Sequence, residues 1–151
     1  MHIEKAGIKL GMLCFSSIIP TGFDASRNST GINPIRVETK FLFKGRKHEY
    51  PGTLPEIKTH TLQKDLTRMK RDIQSLKKKV DVVLVNHHWG TSMTHKIMDF
   101  EREIACASID SGADIVLGGH PHVLQGIEFY KKKPIVYSMG NLIFDFDIPF
   151  F

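Results

Sequence analysis

The chain has 151 residues, enough for one ordinary domain, and its 41% hydrophobic and 25% charged content excludes a disordered or fibrous protein. No apolar run approaches the roughly 20 residues that cross a bilayer, and the charged stretch Met1–Lys9 leads into no signal-peptide pattern, so neither a membrane segment nor an export signal is expected in this sequence, and localisation is left open. Twenty-one Lys and Arg against 16 Asp and Glu give a net charge of +5. Much of the surplus sits in Lys77–Lys79 and Lys131–Lys133. No aromatic residues interleave with these lysines, so nucleic acid is not an expected partner; an anionic polymer is the partner such tracts suggest, and a solvated surface is the simpler alternative.

In chain order, Ile8–Phe15 reads as an apolar strand, Ser16–Asn33 as a long polar loop, Pro34–Phe43 as a partly exposed strand and Lys44–Pro55 as a second loop. Thr61–Lys79 is the clearest helix. Leu62, Leu66, Met69, Ile73 and Leu76 recur at spacings of three and four on one face, with Thr59 or Thr61 as the expected cap and lysines at the negative end of the dipole. Asp81–Asn86 follows as a Val-rich strand without alternation, the pattern of a parallel strand covered on both faces. Asp99 is the expected cap of a second helix, Phe100–Ser111, with Gly112 as its stop. Asp114–Leu117 repeats the buried-strand pattern, and the run from Thr61 predicts an α/β fold with a mixed sheet flanked by helices. Val123–Tyr130, Pro134–Met139 and Leu142–Phe146 read as closing strands, the first two joined by a turn at Lys131–Lys133. Cys14 and Cys106 lie in apolar segments and are expected to be buried free thiols.

The chemistry is concentrated just beyond two of these strands. Asn86-His87-His88-Trp89-Gly90 follows the first Val-rich strand, and Gly118-Gly119-His120-Pro121-His122 follows the second. Ligands of open α/β sheets bind outside the carboxyl ends of strands, so two parallel strands would deliver both clusters to one edge. Neutral imidazole is a common ligand for transition metals. The proline favours an extended His120, which would project His120 and His122 to the same side, and the preceding glycines allow a tight turn. His88, His120 and His122 are therefore the candidate metal ligands. His2, His48, His60 and His95 read as surface residues.

The segments VDVVLVNHHWG, IDSGADIVLGGHPHVLQGIEFY and KKKPIVYSMGNLIFD, in that order over Leu62–Asp145, resemble the closing half of the bacterial capsule-synthesis, or poly-γ-glutamate, family. That family is similar in fold to the calcineurin-like metallophosphoesterases. The resemblance implies that residues 1–151 form a single partial domain, one layer of a larger four-layer sandwich, and that His88, His120 and His122 help hold one or two divalent ions such as Mn, Zn or Fe. It also implies phosphoester hydrolysis, with His88 or His122 as an alternative proton donor to the leaving oxygen. Trp89, Gln125 and Asn141 are then expected at the substrate pocket, Trp89 as a wall. Two features depart from the family pattern. Thr91-Ser92-Met93 stands where an acidic residue is usual, and the Gly-Asp and Asn-Asn-His segments of the family's first half do not occur. The chain alone is therefore expected to have little phosphatase activity, and the missing half, as a separate chain, is an expected partner. A noncatalytic component that binds an anionic capsule polymer is the alternative reading.

Overall fold

The structure, a computed structural model, describes residues 2–26, 28–43 and 52–143. In chain order its elements are β1 (His2–Lys5), β2 (Ile8–Ser16), β3 (Val37–Leu42), β4 (Glu56–Thr61), α1 (Gln63–Lys77), β5 (Val82–His88), α2 (Asp99–Asp110), β6 (Ile115–Gly119), β7 (Ile127–Tyr130) and β8 (Lys133–Val136). Six strands form one sheet in the order β1-β2-β5-β6-β8-β7, and β3 and β4 form a separate antiparallel hairpin. The central four strands run parallel, with antiparallel β1 and β7 at the edges. This is the mixed α/β sheet that the sequence predicts.

Both helices pack on one face of the sheet and against each other. Leu66, Met69 and Ile73 of the predicted stripe are buried there against Val83, Val85, Val116 and Ile135. Gly11 lets α1 approach β2, since a Cβ at that position would stand 2.9 Å from Leu76 Cδ1. Among the described residues no helix covers the other face. There Leu10, Met12, Leu84, Ile115, Leu117 and Val136 are only partly shielded, and Ile3, Ile8, Ile127 and Phe129 are exposed. Parallel sheets are ordinarily covered on both sides.

Several local expectations are corrected. Leu62, not a threonine, precedes α1, with no side-chain cap; Thr61 ends β4 and gives its N–H and hydroxyl to Glu103 at 3.0 and 2.8 Å. Met98, not Asp99, caps α2, because Glu101 one turn in reaches back to the Met98 N–H at 2.7 Å. Gly112, at φ +113°, ends α2 as predicted: its N–H bonds Ile109 O at 3.0 Å and Ala113 N–H bonds Ser108 O at 3.1 Å, a Schellman pair. Cys14 is exposed, because it faces the side of the sheet without helices, and Cys106 is half-buried; both are free. The closing strands are shorter than predicted. Leu142 and Ile143 are exposed and belong to no strand, and the remainder of that expected strand lies outside the described residues, as do His48 and most of the Lys44–Pro55 loop.

The lysine tracts sit at the amino edge of the parallel strands. Lys131 and Lys132, both at positive φ, turn the β7–β8 hairpin. Asp114 gathers Lys77 at 2.7 Å, Lys133 at 3.1 Å and the Val83 N–H at 2.8 Å, while Lys131 pairs with Asp110 at 2.5 Å. Burial would raise the Asp114 carboxyl, but the Lys77 bond, the Val83 N–H and Lys133 outweigh it and hold the group below its ordinary value. The ionised form is thus favoured by folding, and its contribution is lost as pH falls through the carboxylate range. Asp114→Ala is expected to lower stability by about 1–3 kcal/mol at pH 7, read from urea midpoints, with a smaller loss at pH 3.

Candidate functional site

β5 and β6 are parallel neighbours in a register that pairs His87 with Gly118 and His88 with Gly119. The His88 ring therefore rises beside the loop that follows β6. Its centroid lies 4.8 Å from that of His120, edge to face at 70°, and His120 lies 5.7 Å from His122. The two strands are parallel neighbours, as expected, and the rings of His88, His120 and His122 follow one another in pairs at one edge of the sheet. The extended backbone expected at His120 is not found, because His120 has φ +102° and His122 φ +62° around a buried Pro121. The segment bends sharply instead of extending. Left-handed backbone at a non-glycine residue costs of order 1–3 kcal/mol, and such residues cluster at functional sites.

The backbone of the two loops is stitched together. Trp89 N–H donates to Gly119 O at 3.0 Å and Met93 N–H to Pro121 O at 2.8 Å. Gln125 Nε2 donates to Thr94 O at 3.1 Å and Lys96 O at 3.3 Å, and His95 Nδ1 meets Leu124 O at 2.8 Å. Gln125, expected at the substrate pocket, is thus buried and holds the strap Gly90–Met98 onto the His-Pro-His loop. Trp89, expected as a pocket wall, has no exposed surface. It lies beneath the histidines, stacked on His87 at 4.6 Å, and donates its indole N–H to Tyr137 O at 2.8 Å.

Asn141 is placed on the site itself. Its Oδ1 is 2.9 Å from His122 Nδ1, and its Nδ2 reaches His122 O at 3.5 Å, which fixes the amide orientation. An oxygen acceptor at Nδ1 selects the Nδ1–H form of His122 and puts the ring's lone pair on Nε2, the arrangement by which partners outside a metal's own ligands orient an imidazole. Ser92, in the segment where an acidic residue was expected, brings its hydroxyl to 3.0 Å from His120 Nε2. No spacing signal in the sequence pointed to Ser92. Burial, then the neighbouring His122, lowers the pKa of His88; burial, then His88 and His122, lowers that of His120. Both rings are therefore kept in the neutral form that binds metals and accepts protons. A groove of about 330 Å3 opens beside the strap, bounded by Gly90 and Thr91 on one side and by Thr39, Phe41 and Ile57 of the hairpin on the other.

The donor chemistry suits a divalent transition metal, whereas the geometry is only partly closed. The three rings are neighbours, but among the described residues no three His, Cys, Asp or Glu side chains converge on one point as an ion-holding group. Among the groups that meet the rings of His120 and His122 are the Ser92 hydroxyl and the Asn141 amide oxygen, which orient an imidazole without adding charge.

An open α/β sheet with imidazoles clustered at the carboxyl ends of neighbouring parallel strands is the ligand-binding architecture of its fold class. Within that class the chain belongs to the bacterial capsule synthesis protein family PGA_cap, whose family model matches residues 2–146. It is 33% identical over 139 residues to the PGA biosynthesis protein CapA of Bacillus subtilis (strain 168), an overlap of 92% of this chain and 29% of that protein. It is 40% identical over 97 residues to the capsule biosynthesis protein CapA of Bacillus anthracis, covering 64% of this chain and 23% of that one. The chain thus spans less than a third of the length of either relative.

Proposed function

We propose that this chain carries the histidine half of a metallophosphoesterase-type centre in a capsule or poly-γ-glutamate biosynthesis protein. The observation that supports this most is the approach of His88 to His120, 4.8 Å between ring centroids, across two parallel strands. The bent His120-Pro121-His122 backbone and the Asn141 contact that sets the His122 tautomer support it further. A divalent ion held by His88, His120 and His122 would supply Lewis acidity toward a phosphoryl oxygen and a hydroxide at neutral pH. Carboxylate donors of the kind expected from the family's first half, as a separate chain or a further segment, would complete the donor set. The substrate is then a phosphoester, or an anionic polymer bearing one. Proton donation to the leaving oxygen by His88 or His122 is the alternative to the ligand role for whichever of the two does not hold the ion. Gln125 and Trp89 act on the site from below, by holding the strap and the strand ends, and Asn141 acts by orienting His122.

Equilibrium dialysis of the purified chain against Mn, Zn and Fe(II), followed by metal analysis, tests the reading. Wild type is expected to retain a divalent ion that the His88→Ala/His120→Ala/His122→Ala variant does not. Equal retention by both would end the proposal. Turnover of an aryl phosphate ester by the chain alone is expected to stay at background. Chelator-sensitive turnover lost in His120→Ala would show that no second half is needed.

A further inference from the structure

Glu101 is a fully buried carboxylate in the first turn of α2 that the proposed chemistry does not use. Its Oε2 accepts the Met98 N–H at 2.7 Å, at the far end of the strap. Its Oε1 is buried and has no hydrogen-bond partner among the described residues. That second oxygen points at the near end of the strap. A Cβ built on Gly90 would stand 2.8 Å from Glu101 Oε1 and 3.1 Å from Pro121 Cγ. The place a side chain would take at Gly90, at φ +87°, is therefore filled by the Glu101 carboxylate and by Pro121 at the centre of the His-Pro-His loop. One side chain thus bonds the far end of the segment that joins β5 to α2 and fills the space beside its near end. Through Gly90 it also bears on Pro121, between the two histidines of the second loop.

The geometry points to Glu101 as a positioning residue that sets the spacing of His88 against His120 and His122, by bonding the end of the Gly90–Met98 strap and filling the space between its start and Pro121. The inference deepens the functional reading and shares its site, but it concerns the arrangement of the rings and not what they bind. A surface glutamate at this helix position would favour the helix dipole and little else. A carboxylate with no exposed surface carries a desolvation cost that capping alone does not require, and burial correspondingly raises the Glu101 pKa.

The test reads the imidazoles directly, in the metal-free chain. Nitrogen-correlated NMR of the histidine side chains would be recorded for wild type, Glu101→Gln, Glu101→Ala and, as a control of the same buried layer, Ser108→Ala. Gln preserves the acceptor for Met98 N–H and the bulk beside Gly90, so it is expected to leave the His88, His120 and His122 ring resonances near their wild-type positions. Ala is expected to shift all three, and to remove the one-sided population that the Asn141 contact imposes on His122. Ser108→Ala is expected to lower the Tm without moving those three resonances. Ring signals unchanged in Glu101→Ala, or moved equally by Ser108→Ala, would overturn the inference. If the alanine variant does not fold, Glu101→Asp, one methylene shorter and still acidic, reads the same signals: wild-type positions there would be equally fatal. Failure of metal binding in every variant, wild type included, would count against the functional reading and leave this outcome untouched.

Discussion

Gly118→Ala is expected to destabilise the protein by about 3–5 kcal/mol, a large fraction of the stability of a small domain. The glycine has ordinary backbone angles, and its lack of a side chain serves another purpose than a turn. The Trp89 indole N–H passes over it to reach Tyr137 O at 2.8 Å. A Cβ at position 118 would collide with Tyr137 O and stand 2.5 Å from Trp89 Nε1 and 2.7 Å from Tyr137 C. Two of these atoms are backbone in the neighbouring chain segment and cannot swing aside, and the third belongs to a fully buried ring stacked on His87. The substitution must therefore break the bond, displace the indole or part the strands. Gly119→Ala is the control: nothing lies within 4 Å of the place its methyl group would take, so a change within about 1 kcal/mol is expected. Urea denaturation followed by circular dichroism separates the two. Equal losses at 118 and 119 would mean that the Trp89–Tyr137 bridge is not what requires the glycine.

Acid is expected to unfold the chain through His87. This side chain has no exposed surface, lies stacked between Phe15 at 5.6 Å and Trp89 at 4.6 Å, and meets Ser108 Oγ at 3.2 Å. Ser108 donates its own proton to Ile104 O at 2.8 Å, so the imidazole is the donor, through Nε2. Its Nδ1 is buried without a partner, and burial lowers the pKa from 6.5 to about 3. The folded protein thus refuses a proton that the unfolded chain takes up near pH 6.5. Between that value and about pH 3 the unfolded state binds more protons, so stability falls steadily as the pH is lowered. At about 1.4 kcal/mol per pH unit the whole interval amounts to roughly 5 kcal/mol, comparable with the stability of a small domain. His87→Phe keeps a ring in the stack and cannot be protonated. It is expected to cost about 1–2 kcal/mol at pH 7 and to flatten the loss between pH 6.5 and 4, read from urea midpoints at each pH. An unchanged slope would assign the acid sensitivity to other groups.

What the sequence discloses, and what it conceals, follows from how far each cause acts along the chain. β5, β6 and both helices are legible because Val-rich runs, a three-and-four stripe and Gly112 are local signals. The meeting of His88 with His120 is legible as well, since two consecutive strand–helix units in an α/β fold lay their strands parallel and side by side. The exposure of Cys14 is not, because an apolar strand reads the same whether or not a second layer covers its outer face. The bent conformation at His120 and His122 reverses the local preference set by Pro121, and the contacts that tie the loop to Trp89, Met93, Ser92 and Asn141 come from distant parts of the chain. The contacts of Asn141 with His122 and of Ser92 with His120 join residues 19 and 28 positions apart, with no periodicity to announce them. Glu101 reads as an ordinary helix-start acid, and only its complete burial against Gly90 separates it from its neighbour Glu103.

Trp89 is the sole tryptophan of the chain, and it is sealed beneath the two histidine loops with an imidazole lying flat against it. The protein's tryptophan fluorescence, excited selectively at wavelengths its tyrosines do not absorb, therefore comes from one chromophore at the root of the candidate site. Its emission should be blue-shifted in the native state, and changes in its intensity would register disturbances of His87, the strand ends or the loops above them without any label being added.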